Sequence, residues 1–180
     1  MKFPKLHLVC AADELRPNME HICIDKEFTF ASDGHILVRH MTSEIFEKNF
    51  IASLPAHSIM VHKKAVKLIC EKATVKISLT DDKKQIQLHR LDGSIISYKL
   101  YIDRAYPDAN KIIPDIKDIK PLDKVGINSN LLDRLSDGLG CDIPVLHLNF
   151  FDRSHAIYVT SPHSDYEDAV GIIMPVNINL

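Results

Sequence analysis

The apolar positions of this chain change period several times, and the changes mark its elements. In residues 28–41 two β-favouring runs, Phe-Thr-Phe-Ala and Ile-Leu-Val-Arg-His-Met, flank Ser32-Asp33-Gly34-His35. Asp-Gly between such runs predicts a hairpin tip, because a primed turn needs a positive φ that Gly adopts without strain. Residues 6–9 alternate apolar positions with His7 and predict a short strand, and Pro17 forbids a long helix after it. A further strand is expected at 21–24. Residues 43–51 predict a short helix capped by Ser43, with Phe46 four residues before Phe50.

From Ser58 the pattern changes. Residues 59–61 predict a strand and 62–72 a helix, with Val66, Ile69 and Ala73 at helical spacing and Lys63, Lys64, Lys67 and Glu71 on the opposite face. Strands are expected at 74–79, 85–89 and 94–102, joined by turns at Asp81-Asp82-Lys83 and Leu91-Asp92-Gly93. Residues 104–122 hold three prolines and little periodicity, so they predict a surface connector. The order then recurs: a strand at 124–127, a helix capped by Asn128 with Leu131, Leu132, Leu135 and Leu139 on one face, Gly138 and Gly140 at its end, and strands at 145–151, 156–160 and 169–176. A repeated β-α-β-β-β unit implies a sheet built by duplication.

Composition narrows the function classes. With 180 residues, 46% of them apolar, the chain can bury a real core. A formal net charge of −2 argues against a protein that coats nucleic acid indiscriminately. No apolar run approaches the roughly 20 residues that span a bilayer, and Met1-Lys2-Phe3-Pro4-Lys5 lacks the apolar stretch of a signal peptide, so no membrane partner and a cytoplasmic location are expected. Cys10, Cys23, Cys70 and Cys141 lie far apart in apolar segments and read as reduced core residues. The ten histidines form no His-x-His or His-Glu-x-x-His, and no phosphate loop or nucleophile elbow is present; neither a metal nor a cofactor is expected. Pro107-Asp108 with Asp115-Ile116-Lys117 resembles the carboxylate and lysine pattern of a nuclease superfamily. Pro114 disfavours the paired strand that such a site needs, so a metal-dependent nuclease is the third reading.

The Asp33-Gly34-His35 tip, in these words and this order, resembles a segment in the middle domain of the bacterial DNA polymerase III beta subunit, the sliding-clamp family. Four further stretches resemble that family in matching order. They are Leu54-Pro55-Ala56-His57-Ser58-Ile59-Met60-Val61 with Lys63-Lys64-Ala65-Val66, Tyr106-Pro107-Asp108 closing at Ile112-Ile113-Pro114, residues 125–135, and Gly171-Ile172-Ile173-Met174-Pro175-Val176. The resemblance implies an α+β, DNA-clamp-like fold of repeated β-α-β-β-β units, with helices on one face of mainly antiparallel sheets. It divides the chain into a two-unit domain at 1–114, a connector at 115–122 and a single half-domain at 123–180. The match is to a middle domain joined directly to half of a final domain, and the first unit lacks its helix.

The resemblance also implies a function without catalysis: a processivity factor that binds linear peptide motifs of a polymerase or other replication and repair proteins. The matching groove positions are Met19, Gly34, His35, Ile36, Leu37, Pro107, Lys111, Ile112, Ile172, Ile173, Met174, Pro175 and Val176. Aliphatic residues and an adaptable methionine suit an apolar floor, and His35 and Lys111 suit its polar rim. Taken singly, each apolar residue reads more readily as strand core, and only their joint arrangement points to a groove. Ile36 and Asn177 stand where the family commonly has Arg, which predicts an altered peptide preference. Lys63, Lys64 and Lys67 are the implied sequence-independent contacts to double-stranded DNA, against the plainer reading of a solvated helix face. Encircling DNA would need a homo-oligomer. The alternative is a monomeric adaptor or decoy that binds the same motifs without DNA.

Overall fold

The computed structural model describes residues 3–12, 15–101, 106–113, 125–151 and 155–176, with the backbone alone given for Ala109 and Asn110. The predicted hairpin forms as β2 (Phe28–Ser32) and β3 (Ile36–Met41), preceded by β1 (His21–Ile24). Gly34 takes a φ of 90° at the tip, and the Asp33 carboxylate accepts the N–H groups of His35 and Ile36 at 2.8 and 3.0 Å. The second unit follows as β4 (Ile59–His62), β5 (Thr74–Leu79), β6 (Gln85–Arg90) and β7 (Ile95–Lys99), and the third contributes β8 (His147–Asn149), β9 (Ile157–Thr160) and β10 (Val170–Ile173). The helices are α1 (Thr42–Ile45), α2 (Lys48–Ser53), α3 (Lys63–Ile69), α4 (Ala109–Ile112) and α5 (Ser129–Leu139).

These strands make a seven-stranded sheet in the order β4-β1-β2-β3-β10-β9-β8 and a three-stranded sheet β5-β6-β7. All the described ladders are antiparallel, which bears out the expected α+β class. The large sheet runs through residues of both predicted domains, because β10 pairs with β3 in the register Gly171↔Val38, Ile172↔Leu37 and Ile173↔Ile36. Alternation along these two strands splits the core in two. Ile36, Val38 and Ile173 join the main core under α3 and α5, whereas Leu37, Val170 and Ile172 join a smaller cluster on the other face with Phe30 and Tyr158.

Several expectations are corrected. Residues 6–9 are not a strand: Leu6–Leu8 is a 3-10 turn. Residues three apart eclipse in such a turn, so Leu6 and Val9 are both fully buried while Leu8 is exposed, the reverse of an alternating strand. The single helix expected at 43–51 is two short ones broken at Phe46 and Glu47, with Phe46 stacked on Phe50 at 4.6 Å. Met41, not Ser43, stands at the first N-cap. Helix α3 ends at Ile69 rather than 72, and His62 caps it by accepting the Lys64 N–H. Helix α5 forms as expected, with Asn128 capping and Gly140 left-handed at its end, while Gly138 lies inside the helix. Of the strand expected at 124–127 the described residues keep one bridge, Gly126 to Val176.

Gly138 lets α5 approach closely, since an added Cβ would collide with Val9 and lie 3.2 Å from Val38. Beside it, buried His40 of β3 donates its Nε2–H to the Gly138 carbonyl at 2.9 Å, an acceptor that fixes the tautomer. Burial lowers the His40 pKa from 6.5 to about 4. The unfolded chain therefore binds a proton near pH 6.5 that the folded chain takes only near pH 4. Stability should be full above that window and fall as the pH drops through it, by roughly 3 kcal/mol. Urea unfolding from neutral to acid pH checks this, and His40→Gln, which keeps a donor for Gly138, should flatten that part of the profile.

Candidate functional site

The β3–β10 ladder sets the tail of the chain beside the hairpin tip. Beyond the last strand residue, the Met174 N–H donates to the His35 carbonyl at 2.9 Å, and the Val176 N–H donates to the Gly126 carbonyl at 2.8 Å. Met174 and Val176 are exposed, as are Gly34 and His35. On the other side of the tip, a Cβ on Gly34 would lie 3.6 Å from the Met19 sulfur and press on the flexible end of Arg16, and it is the φ of 90° that favours glycine there. Met19 shares an apolar cavity of about 420 Å3 with Leu15, Pro17, Tyr106 and Pro107.

The candidate positions therefore do not all fall together. Met19 and Pro107 line one cavity, and His35 and Met174 are joined by the backbone. Leu37 and Ile172 pair in register and lie buried beneath Tyr106 and Ile113 of the connector, so they are floor rather than surface. Ile36 and Ile173 face the main core at 1% and 0% exposure and are scaffold, which corrects the expectation that they line the groove. Ile112 is exposed on α4, and Lys111 pairs with Asp108 at 3.3 Å. Asn177 lies outside the described residues.

Sequence reasoning passed over Leu15, Arg16 and Tyr106. Arg16 donates to the Asp33 carbonyl and so ties the segment before β1 to the hairpin tip. The local signal was Pro17, which starts the 3-10 turn Pro17–Glu20 and aims Met19 back at the tip. Nothing local could have announced Arg134: from α5 it reaches the Asp33 carboxylate at 2.8 Å and donates Nε–H to the Leu8 carbonyl at 2.8 Å.

The helical face carries the lysines. Lys64 and Lys67 are exposed on α3. Lys63 is not on that face: it is half-buried, 2.8 Å from Glu20 and 2.6 Å from the Ala11 carbonyl. Its ammonium holds the Glu20 carboxyl below the ordinary range. Lys5 is likewise paired with Asp137 of α5 at 2.6 Å. His62 at the head of α3 is held below its usual pKa by burial, against the pull of Glu20. Burial also pushes the thiols of Cys10, Cys23 and Cys70 up, to about 12, 11 and 11, leaving them protonated.

No protein-family model matches the sequence, and no curated protein matches it with significance. Solved structures do match. Over 97% of this chain the fold superposes on the pol III beta of Caulobacter crescentus (TM-score 0.72, 14% identity), the DNA polymerase sliding clamp of Pseudomonas aeruginosa (0.62, 16%) and the DNA polymerase III beta subunit of Thermotoga maritima (0.67, 15%). The chain has the sliding-clamp fold. It spans 63 to 64% of the length of those clamps. Among the described residues no helix is long and apolar enough to cross a membrane, and no group of three or more His, Cys, Asp or Glu side chains is placed to hold a metal ion. Asp108 of the nuclease-like pattern is exposed, and Asp115 and Lys117 lie outside the described residues.

Asp33 is the joint of the described fold, since one carboxylate shapes the tip and anchors the third unit. Asp33→Ala should cost roughly 2 kcal/mol in urea unfolding, as two backbone N–H groups and Arg134 lose a charged acceptor. Asp33→Asn, which keeps the Oδ1 acceptor, should lose about half as much.

Proposed function

We propose that this chain is a non-catalytic, clamp-like processivity factor that captures short linear peptide motifs of DNA polymerase or other replication and repair proteins. The observation that carries the reading is the Met174 to His35 backbone bond, because it holds the exposed methionine of the tail beside the exposed histidine of the tip within a single chain. The Met19–Pro107 cavity beside the tip supports the same reading, since it offers an apolar site and a second adaptable methionine to an extended motif. An extended motif would seat one aliphatic side chain in the cavity and another against Met174. Lys64 and Lys67 supply loose phosphate contacts if several chains assemble around duplex DNA.

A monomeric adaptor that binds the same motifs without DNA is the second reading. It is favoured by the pairing of Lys63 with Glu20, Lys5 with Asp137 and Arg134 with Asp33, which neutralises much of the positive charge around α3 and α5.

Met174→Asp should weaken binding of a clamp-binding-motif peptide by at least about tenfold in calorimetry, with the unfolding midpoint unchanged because the side chain is exposed. Wild-type affinity in that variant would remove the groove. Light scattering with nicked circular DNA separates the two readings. A closed oligomer whose retention on DNA falls with the Lys64→Glu, Lys67→Glu pair is the processivity factor, and a monomer that binds peptide but not DNA is the adaptor.

A further inference from the structure

Arg16 stands between two cavities and lines both. On one side is the apolar cavity of Met19, Tyr106 and Pro107, and Tyr106 packs on the face of the sheet that carries the smaller cluster. On the other side is a cleft of about 570 Å3 lined by Lys63, Arg134, Asp33 and His35 together with Leu8 and Cys10, on the face covered by α3 and α5. The side chain is held at this crossing point. Its Nη1 donates to the Asp33 carbonyl, and the guanidinium lies with the Met19 sulfur on the same side of Gly34.

The charges around the cleft do not balance. Lys63 meets Glu20 at 2.8 Å and Arg134 meets Asp33 at 2.8 Å, so two of its three cations are matched by carboxylates. Main-chain carbonyls fix these two further, Ala11 holding Lys63 at 2.6 Å and Leu8 holding Arg134 at 2.8 Å. Arg16 has only the neutral Asp33 carbonyl, and among the described residues it forms no ion pair. One positive charge is left over, at the rim of the cavity that takes an aliphatic anchor. Lys111, the other cation among the groove positions, is already 3.3 Å from Asp108. A guanidinium bonded through one nitrogen keeps further donors in the planar fork that fits a carboxylate.

We propose that Arg16 makes the groove selective for motifs that carry an acidic residue directly beyond the aliphatic anchor seated in the Met19 cavity. The inference rests on the peptide groove proposed above and names the chemistry of what that groove takes. With the anchor in place, the next side chain reaches the mouth of the cleft at Arg16. A carboxylate there completes the charge balance, an amide leaves it unmet, and a lysine adds to the excess. Only one charge is unmet, and the Asp33 and Glu20 carboxylates stand beside it, which suits a single carboxylate better than a run of DNA phosphates.

The test uses capped clamp-binding-motif peptides with Asp, Asn or Lys placed directly before or directly after the apolar anchors, titrated calorimetrically into the full chain. At one of the two flanks Asp should bind about three- to tenfold tighter than Asn, the range of a partly shielded ion pair, with Lys weakest. Arg16→Glu should invert that order, so that Lys binds tighter than Asp. The order is read within each protein, so a general loss of affinity in the variant does not imitate it, and Arg16 is exposed, so the variant folds. Equal binding of Asp and Asn at both flanks overturns the inference and leaves the groove standing, whereas no binding by any of the peptides overturns the groove and this inference together. An unchanged peptide order in Arg16→Glu, with weaker retention on duplex DNA, also overturns it and gives Arg16 to a phosphate.

Discussion

The ladder between β3 and β10 is the constraint on which the rest depends. It welds the last unit to the first across a long stretch of chain, and both faces of the weld are used. Inward, Ile36, Val38 and Ile173 close the main core beneath α5. Outward, Leu37 and Ile172 make the floor on which Tyr106 and Ile113 of the connector rest. Burial of that many aliphatic side chains, each contributing about 1.5 to 3 kcal/mol, fixes the register, because a slip of one residue would turn every one of them to the wrong face. The polar contacts around the seam then refine it: Asp33 with Arg134, His40 with Gly138, and the Glu44 carboxylate accepting the Asp168 N–H at 3.2 Å.

This seam also orders the charges. Arg134 is drawn from the polar face of α5 to the hairpin tip, and Lys63 from α3 to Glu20, where the partners sit on backbone already fixed by the sheet. What remains outward on α3 is Lys64 and Lys67. A helical face with two exposed lysines suits weak, salt-sensitive contact with phosphates rather than tight binding.

Where local chemistry decides the conformation, the sequence was legible. Asp33-Gly34 made its turn, Asn128 and Gly140 bounded α5, and the apolar, β-favouring runs became β1, β2, β3 and β6. The failures share one physical cause, tertiary packing overriding a short pattern. Leu6 to Val9 fits a strand and a 3-10 turn equally well, and the choice is made by α3 and α5, which close over Leu6 and Val9 from both sides. Ile36 and Ile173 read as groove residues because the family resemblance carried over whole stretches, and only the pleat shows that neighbours in sequence face opposite ways. Leu15, Arg16 and Arg134 escaped notice because Tyr106 and Asp33, which they meet, are distant in sequence; only Pro17 marked the first two locally.

The central claim is that one chain holds tip and tail together as a fixed peptide-binding seam. Amide hydrogen exchange on β10 and Met174, with and without a clamp-binding-motif peptide, tests it most directly. The account predicts that Gly171, Ile172 and Ile173 exchange as slowly as the β2–β3 hairpin in the free protein, and that the Met174 amide, at the end of the ladder, slows further when peptide is added. Fast exchange along β10 while β2–β3 stays protected, with no response at Met174 to peptide, would contradict it.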